Sequence, residues 1–242
     1  MRSYYYITGT SRGIGRALTE ELLGDEDALI FGIGRSPGPK HANYQHVSLD
    51  LSALDVVSSF TFVPLEDAQR VVLVNNAGTL LPKFLGNETS EAIINAYALN
   101  AVAPVLLMNA FIATYRTLAI QRTICNLSSI AASTPIAGAA LYCGTKAALE
   151  MTSRVAALEL EANFGGVQVL SVDPGAVDTD MQATLRGSRD EDFPGAERNR
   201  RVHAEGRLGS PQLVAKKLAE LLRNPSLAGA DSVRLGDSAV NH

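Results

Sequence analysis

Cysteine is scarce in this chain of 242 residues, which contains only Cys125 and Cys143. The two cysteines are not in a C-x-x-C arrangement, and they form no cluster of metal-ligand spacing with the four histidines. This excludes a disulfide framework and disfavours a metal site. We expect two free thiols in a reducing compartment and no bound metal.

Long hydrophobic runs and an excess of basic charge are also absent. The first residues, MRSYYYIT, lack the apolar run of a signal peptide, and Pro104 and Asn109 interrupt the apolar stretch 101–113. The formal net charge is -4, and the 21 lysines and arginines are scattered along the chain. These features predict a soluble, cytoplasmic protein that binds neither nucleic acid nor a membrane.

The rest of the composition is typical of a folded protein, with 46% hydrophobic residues. At this length we expect residues 1–242 to form one α/β domain. Short apolar runs that predict strands alternate with longer amphipathic stretches that predict helices, and this order indicates a mostly parallel sheet with helices on both faces. The predicted strands are 4–7, 28–33, 45–49, 71–74, 123–127, 167–172 and 232–235, and the predicted helices are 13–23, 53–60, 89–95, 98–119, 140–163 and 211–223.

A glycine-rich turn, TGTSRGIG at 8–15, follows the first predicted strand and opens the first predicted helix. Its glycines would permit a sharp turn, let the backbone approach a pyrophosphate and let the helix pack on the strand. A purely structural turn is the alternative. Because of its position we predict a dinucleotide-binding turn, in which the cofactor contacts Gly9, Ser11, Arg12, Gly13, Ile14 and Gly15.

The residues after the second predicted strand bear on which dinucleotide is bound. An NAD site usually has an acid about 20 residues beyond the glycines, but residues 28–49 contain no Asp or Glu. Arg35 and Ser36 lie just past that strand, and Arg12 lies within the turn. Two guanidinium groups at these places would bracket a 2′-phosphate, so we predict NADP(H). Solvated surface arginines are the alternative.

Tyr142 and Lys146 are four residues apart in a predicted helix and therefore share a face. A neighbouring ammonium would lower the pKa of a tyrosine towards neutral pH and make it useful for proton transfer. Ser129 follows a predicted strand, at the sheet edge where ligands bind, and could donate a hydrogen bond to a carbonyl. Taken alone, a Tyr and Lys pair at this spacing is more often a surface pair.

Several motifs occur together in a fixed order along the whole chain. They are the turn at 8–15, the NNAG of 75–78, Asn100, Ser129 at 13 residues before Tyr142, the Y-x-x-x-K of Tyr142 and Lys146, and Pro174-Gly175 with Thr179. Together they resemble the short-chain dehydrogenase/reductase family. The resemblance implies a doubly wound (Rossmann) three-layer sandwich with a seven-stranded parallel sheet, a nicotinamide cofactor, and a homodimer or homotetramer formed through helices 98–119 and 140–163.

The resemblance also assigns roles to individual residues. Tyr142 would protonate the carbonyl oxygen, Ser129 would orient it, and Lys146 would lower the pKa of Tyr142 and hold the nicotinamide ribose. Asn100 would keep a proton path open to solvent and completes the catalytic set. The other implied cofactor contacts are Asp50, Leu51, Asn76, Ala77, Gly78, Pro174, Gly175, Val177, Thr179 and Met181, and the implied substrate contacts are Ser129, Tyr142, Gly175 and Met181. For Asn75 we prefer a structural role in which it hydrogen-bonds a neighbouring strand.

The last third of the chain resembles one branch of this family. The sequence DPGAVDTDMQ at 173–182, Asp192-Phe193 and 206–208 are similar to sepiapterin reductases and bacterial benzil reductases, which reduce one carbonyl of a vicinal dicarbonyl. The chain departs from sepiapterin reductases in the last strand. Counting from Gly229, Val233 or Arg234 stands where they have a pterin-binding Asp, so pterin recognition would need Asp231 or Asp237 instead.

The polar segment 182–209 contains six arginines and five acids. A segment of this length is more often a functional lid than a plain surface loop, so we predict a substrate lid. An apolar pocket below it would be lined by residues that could equally be core, namely Leu80, Leu81, Ile130, Ile136, Ala176, Met181 and Leu185.

The function predicted from these features is an NADPH-dependent carbonyl reductase that acts on a ketone or vicinal diketone. Two alternatives remain open. The first, within the same chemistry, is a 3-oxoacyl thioester reductase, which should have a basic patch near the cleft for an acidic carrier protein. The second is a non-catalytic NADP(H)-sensing Rossmann protein, a class that has typically lost the Tyr and Lys retained here.

Overall fold

All seven predicted strands are present in a computed structural model of the chain, which describes residues 2–163, 166–228 and 232–235. The strands form one parallel sheet with the order β3-β2-β1-β4-β5-β6-β7. Their bounds are β1 Arg2–Thr8, β2 Ala28–Gly34, β3 Tyr44–Ser48, β4 Ala68–Asn75, β5 Gln121–Leu127, β6 Val167–Asp173 and β7 Ser232–Arg234. The predicted doubly wound fold with a seven-stranded parallel sheet is therefore confirmed.

Helices cover both faces of this sheet. Their bounds are α1 Gly13–Leu22, α2 Leu54–Ser58, α3 Ser90–Tyr97, α4 Ala103–Tyr115, α5 Ala140–Asn163, α6 Asp180–Gly187, α7 Ala196–Ala204 and α8 Pro211–Arg223. One core cluster contains residues of α2, α4 and α5, and the other contains residues of α1 and α8. The order of strands and helices thus gives the three layers that the sequence predicts.

β1 shows why the central strands are continuously apolar. Tyr4 and Tyr6 belong to the core cluster on one face of the sheet, and Tyr5 and Ile7 belong to the cluster on the other face. Side chains alternate between faces along a strand, so a strand covered by helices on both sides has to be apolar at every position. The YYYI run therefore indicates a central strand, which β1 is.

The prediction of one helix over 98–119 is wrong. Residues Ala98–Val102 form a π-helical segment between α3 and α4, and α4 ends at Tyr115. Pro104 has no backbone N–H for the preceding turn, which favours the wider turn at this place. The end of α4 is fixed by Arg122, whose guanidinium donates hydrogen bonds to the carbonyl oxygens of Tyr115 and Arg116.

The stretch Ser90–Tyr115 is long and apolar enough to cross a membrane by length and composition alone. Half of its most apolar window is buried inside the fold. Leu107 and Phe111 from this stretch lie in the core cluster with sheet residues. This is the position of the core helix of a soluble fold.

The predicted lid, residues 182–209, contains secondary structure of its own. It includes most of α6, which begins at Asp180, and the whole of α7. Gly209, the last residue of the segment, is joined to the stretch of chain just before the segment. It forms a β-bridge with Val177, its carbonyl oxygen accepts from Asp178 N, and its N–H donates to Ala176 O. The chain thus leaves the body of the fold after β6, forms these helices and returns to the same place.

Asn75 has the structural role that the sequence analysis preferred. Its Nδ2 donates to Oδ1 of Asn126 on β5 at 2.8 Å, and Asn126 Nδ2 donates to Ser153 Oγ on α5 at 2.8 Å. All three residues are buried. This network joins β4 and β5 to the middle of α5.

We expect Asn126→Ala to lower the free energy of unfolding by about 1–3 kcal/mol, because it removes the buried hydrogen bonds that Asn126 makes with the Asn75 amide and the Ser153 hydroxyl. Thr123 on the same strand is the matched control, since its fully buried hydroxyl has no hydrogen-bond partner among the residues that the structure describes. Thr123→Val should leave stability equal or higher. Urea unfolding measures both variants, and an Asn126→Ala protein as stable as the wild type would contradict this account.

Candidate active site

The candidate site lies at the carboxyl ends of the strands, where β1 and β4 are neighbours although they are not consecutive. This is the point at which the strand order reverses, and open α/β sheets bind ligands in the crevice formed there. The glycine-rich turn follows β1, residues Asn76 to Gly78 follow β4, and Ser129 follows β5. The fold therefore brings residues from distant parts of the sequence to one edge.

The glycines of the turn have the conformation and the close packing that the sequence predicts. Gly9 has φ +73° and Gly13 has φ +57°, values that residues other than glycine rarely adopt. A Cβ at Gly15 would overlap the carbonyl oxygen of Gly9 and the side-chain amide of Asn76. Arg12, the N-cap of α1, makes no side-chain capping hydrogen bond, so the first N–H groups of the helix remain available to an anion.

Asn76 and Thr8 hold this turn against β4. Asn76 Nδ2 donates to the carbonyl oxygens of Thr8 at 2.8 Å and Gly9 at 3.2 Å. The Thr8 hydroxyl oxygen accepts hydrogen bonds from the backbone N–H groups of Asn76 and Ala77, each at 2.9 Å. Asn76 is one of the cofactor contacts that the family resemblance implies. The structure adds a second role, which is to fix the shape of the turn.

Arg12 and Arg35 are both exposed, as an anion-binding pair has to be. Arg12 Nη1 lies 3.2 Å from Asp180 Oδ2 at the start of α6. Hydrogen bonds from Ser52 and, to a smaller extent, the charge of Arg35 lower the pKa of Asp50. Arg12 therefore lies within the glycine turn, and Arg35 lies near Asp50, another of the implied cofactor contacts.

The other predicted cofactor residues occupy the same edge. Gly13 and Thr179 are close, because a Cβ at Gly13 would lie 3.4 Å from Thr179 Cγ2. Gly175, with φ +77°, donates its N–H to Asp173 Oδ1 and turns the chain after β6. Leu51 and Val177 are buried, Ser36 is exposed, and Ser11, Ile14, Ala77, Gly78, Pro174 and Met181 are half-buried.

Tyr142 and Lys146 lie on the first turns of α5 and face the end of β5. Lys146 Nζ donates to the carbonyl oxygen of Leu127 at 2.5 Å and lies 5.7 Å from the centroid of the Tyr142 ring. Ser129 Oγ accepts a hydrogen bond from Ala131 N at 3.2 Å, which caps the short 3-10 helix after β5. The three predicted catalytic side chains are thus brought together.

The expected net shift of the Tyr142 pKa towards neutral pH is not found in this structure. Burial raises the pKa of Tyr142 to about 12, and the hydrogen bond with the Ser129 hydroxyl, which lowers the pKa, is the smaller effect. Burial lowers the pKa of Lys146 to about 8, and the charge of Asp173 opposes that shift. Both shifts have the same physical cause. The two side chains are desolvated, and desolvation disfavours the charged form of each.

Asn100 lies in the π-helical segment and is buried. Its Oδ1 accepts from Thr79 N at 2.8 Å, and its Nδ2 donates to Thr79 O at 2.7 Å and Thr145 Oγ1 at 3.2 Å. Thr145 precedes Lys146 on α5. The side chain of Asn100 therefore ties the loop after β4 to the helix that carries Tyr142 and Lys146.

An apolar cluster surrounds Tyr142 where the lid meets the body of the fold. Its buried members are Ala139, Leu185, Phe193 and Ala196, and Leu80, Ile136, Tyr142 and Cys143 pack against them. Leu80, Ile136 and Leu185 were predicted to line this pocket. Leu81 was also predicted but is exposed, and Ile130, Ala176 and Met181 are half-buried outside the cluster. Phe193 was not among the predicted pocket residues, although a large aromatic residue within a polar segment indicates a buried contact.

Position 234 in the last strand is charged and already has a partner. Arg234 Nε lies 3.5 Å from Asp173 Oδ2, and the two residues are paired in the register of β7 with β6. Val233 beside it is half-buried. Gly229, Asp231 and Asp237 lie outside the described residues. Within the described part of β7, no acid stands where sepiapterin reductases have their pterin-binding Asp.

Comparisons with known proteins agree with this fold. A family model described as short chain dehydrogenase matches residues 4–190. The chain is similar to the benzil reductase ((S)-benzoin forming) of Bacillus cereus, with 31% identity over 97% of this chain and 99% of that protein. It is also similar to the sepiapterin reductase of Bos taurus, with 31% identity over 92% and 90% of the two chains. A crystal structure of a short chain dehydrogenase/reductase from Saccharomyces cerevisiae has a TM-score of 0.83, with 23% identity over 98% of this chain and 97% of that one.

The buried ammonium of Lys146 should make stability depend on pH in a predictable direction. Its pKa is lowered from 10.5 to about 8, so the unfolded chain binds more protons than the folded one between those values. Stability therefore rises with pH across that window. The Lys146→Met variant lacks this contribution. The free energy of unfolding of the wild type should therefore increase relative to that of the variant as the pH rises from 8 towards 10.

Urea unfolding of both proteins at several pH values measures this difference. At pH 7 the wild type carries a penalty of at most about 3 kcal/mol relative to a chain without the buried charge, and the lost hydrogen bond to Leu127 offsets part of the variant's advantage. Stability curves that run parallel from pH 7 to pH 10 would show that Lys146 keeps an ordinary pKa in the folded protein.

Proposed function

The chain belongs to the short-chain dehydrogenase family, and from this premise we propose that it is an NADPH-dependent carbonyl reductase acting on apolar ketones and vicinal diketones. Members of the family are oxidoreductases that use a nicotinamide cofactor. The observation that carries the proposal is the placement of Tyr142, Ser129 and Lys146 beside an apolar cluster at the ligand edge of the sheet.

Tyr142 is in the protonation state that reduction needs, although the raised pKa makes it a weaker acid than a free tyrosine. A phenol with a pKa of about 12 is fully protonated at neutral pH and can donate its proton to a carbonyl oxygen that gains negative charge. NADPH, when bound, supplies the hydride for the carbonyl carbon. The Ser129 hydroxyl orients the carbonyl oxygen, and the ammonium of Lys146 stabilises the phenolate left on Tyr142 after the proton has moved.

Asn100 acts in this mechanism through its neighbours. By bonding to Thr79 and Thr145 it fixes the spacing between the loop after β4 and the first turns of α5. A shift of Tyr142 by a fraction of an ångström would weaken proton donation, because hydrogen bonds require donor and acceptor within about 3 Å.

The preference for NADPH rests on charge. Arg12 within the glycine turn and Arg35 after β2 are both exposed, and residues 28–49 hold no acid that would repel a 2′-phosphate. The residues of the turn fit a pyrophosphate, because Gly15 is packed against Gly9 and the N-terminus of α1 is uncapped.

The substrate preference rests on the apolar cluster and on Arg234. Leu80, Ile136 and Phe193 offer an apolar surface next to Tyr142 for the aromatic or alkyl groups of a diketone. A pterin would present the N–H donors of its guanidine-like edge to Val233 or Arg234, whose side chains accept no hydrogen bonds, in place of the acid that pairs with this edge in sepiapterin reductases. Benzil is therefore a better candidate substrate than sepiapterin.

The alternatives have less support. A 3-oxoacyl thioester reductase should present a basic patch, but three arginines of the lid are paired with acids, Arg186 with Asp178, Arg189 with Asp192 and Arg200 with Asp190. A non-catalytic sensor would have no use for Tyr142 and Lys146 side by side at the ligand edge. The cytoplasmic location stays a prediction.

A panel of substrates tests the proposal directly. We expect benzil to be reduced with a higher kcat/KM than sepiapterin or an acetoacetyl thioester, because burial of apolar surface contributes about 25 cal/mol per Å² and an unpaired polar edge costs about 1–3 kcal/mol. NADPH should support this reaction better than NADH. A kcat/KM for sepiapterin equal to that for every diketone would overturn the substrate assignment.

Tyr142→Phe should lower kcat at least about a hundredfold while NADPH affinity stays nearly unchanged, because the substitution removes the proton donor and keeps the ring. Lys146→Ala should behave differently and impair both NADPH binding and turnover. Steady-state kinetics and fluorescence titration with NADPH separate the two effects. If Tyr142→Phe kept more than a few per cent of the wild-type rate, Tyr142 would not be the proton donor.

A second copy of the chain is the partner that we propose for an exposed apolar face. Ile94 on α3 and Met151 and Leu158 on α5 are each more than half exposed, and α5 packs against α3. An isologous dimer would bury the same face on both subunits. Light scattering after gel filtration should give a dimer or tetramer, and Leu158→Arg should shift it to monomer while Leu213→Arg on α8 should not. A monomeric wild type at micromolar concentration would contradict the proposal.

A further inference from the structure

The hydroxyl of Tyr44 occupies a slot between two glycines. Tyr44 begins β3, and a Cβ at Gly32 on the neighbouring β2 would overlap its hydroxyl oxygen. A Cβ at Gly38 would lie only 2.8 Å from the same oxygen. Glycine at both positions therefore makes room for a tyrosine hydroxyl at this place.

This hydroxyl connects two separate segments of the candidate cofactor site. The oxygen atoms of Tyr44 and Thr10 are 2.7 Å apart, and Thr10 is a buried residue of the glycine-rich turn. The backbone N–H of Gly38 donates to Tyr44 Oη at 2.8 Å. Gly38 belongs to the irregular segment that follows β2. Tyr44 thus ties the turn after β1 to the segment after β2.

Each of these two segments carries one of the arginines assigned to the 2′-phosphate. Arg12 lies two residues after Thr10, and Arg35 lies three residues before Gly38. Contact of both guanidinium groups with one phosphate requires a fixed distance between the segments. A dinucleotide without the 2′-phosphate has no group that both arginines contact at once, so its binding should depend much less on that distance.

We infer that Tyr44 is a positioning residue for the 2′-phosphate of NADP(H), because its hydroxyl joins the segments that carry Arg12 and Arg35. The inference rests on the proposed function, in which these two arginines bind that phosphate. It assigns Tyr44 no contact with the cofactor. The aromatic ring contributes to the core cluster beside α1, and the hydroxyl is the part of the side chain that the inference concerns.

Calorimetric titration of NADP⁺ and NAD⁺ into the full-length protein tests this role without any turnover. Tyr44→Phe should raise the Kd for NADP⁺ about threefold to tenfold, as expected for the loss of one or two hydrogen bonds, while the Kd for NAD⁺ changes less than about twofold. Thr10→Val should have the same selective effect. The double variant should be no weaker than the weaker single variant, because both substitutions break one bridge.

Tyr4→Phe is the matched control. The Tyr4 hydroxyl donates to Asp67 near the start of β4, at the opposite end of the sheet. Its loss should leave both Kd values within about twofold of the wild type. Urea midpoints of all variants show that the proteins compared are folded.

The outcomes are distinguishable. Equal losses for NADP⁺ and NAD⁺ in Tyr44→Phe would mean that Tyr44 only supports the glycine-rich turn, and would overturn the inference. A preference for NADP⁺ that persists unchanged in Tyr44→Phe would also overturn it, while leaving the proposed function intact. A wild type that binds NAD⁺ as tightly as NADP⁺ would overturn the cofactor assignment and this inference together.

Discussion

The hydrogen bonds from the Asn76 amide to the carbonyl oxygens of Thr8 and Gly9 connect the two central strands at the edge where the site lies. They are possible because the sheet places β4 next to β1, a pairing of strands that are distant in the sequence. Once the turn after β1 is held in this way, the first N–H groups of α1 point into the crevice. Other parts of the site are attached to the same turn. Tyr44 links the turn to the segment after β2, and Arg12 links it to Asp180 at the start of α6.

Burial is the second constraint, and it affects stability and chemistry in opposite directions. Lys146 is enclosed between α5 and the end of β5, where its charged form is disfavoured. The same enclosure keeps Tyr142 protonated and places it against apolar side chains. A site of this kind costs the folded state free energy, because a lysine without an opposing carboxylate in contact is held away from water. It also strengthens the interactions that the proposed proton transfer needs.

Much of the fold follows from local pattern. Three local features are determined by neighbouring residues. They are the continuous apolar run in β1, the turn at 8–15 and the cap formed by Ser210, whose hydroxyl accepts from Leu213 N. The helix α5 was predicted with its observed bounds, because its amphipathic pattern continues without a break. The roles of Gly9, Gly13 and Gly15 could be predicted for the same reason, since each concerns the geometry of a single turn.

Other features depend on contacts that no local pattern contains. The π-helical segment around Asn100 is stabilised by bonds to Thr79 and Thr145, which lie 21 and 45 residues away. The pKa values of Tyr142 and Lys146 depend on how deeply the lid and the sheet enclose them. Tyr44 is separated by 34 residues from Thr10, and in the sequence it is simply an aromatic residue next to a predicted strand. Its role is visible only when β2 and β3 are side by side.

The measurement that tests the account most directly follows the hydrogen transferred in the reaction. Wild-type protein is incubated with benzil and NADPH that carries deuterium at both C4 positions of the nicotinamide, and the product is analysed by mass spectrometry and NMR. We predict benzoin with deuterium on its carbinol carbon, formed in proportion to the NADPH consumed. NADPH oxidation without deuterium in benzoin, or no reaction with benzil or any other carbonyl compound tested, would contradict the assignment as a carbonyl reductase.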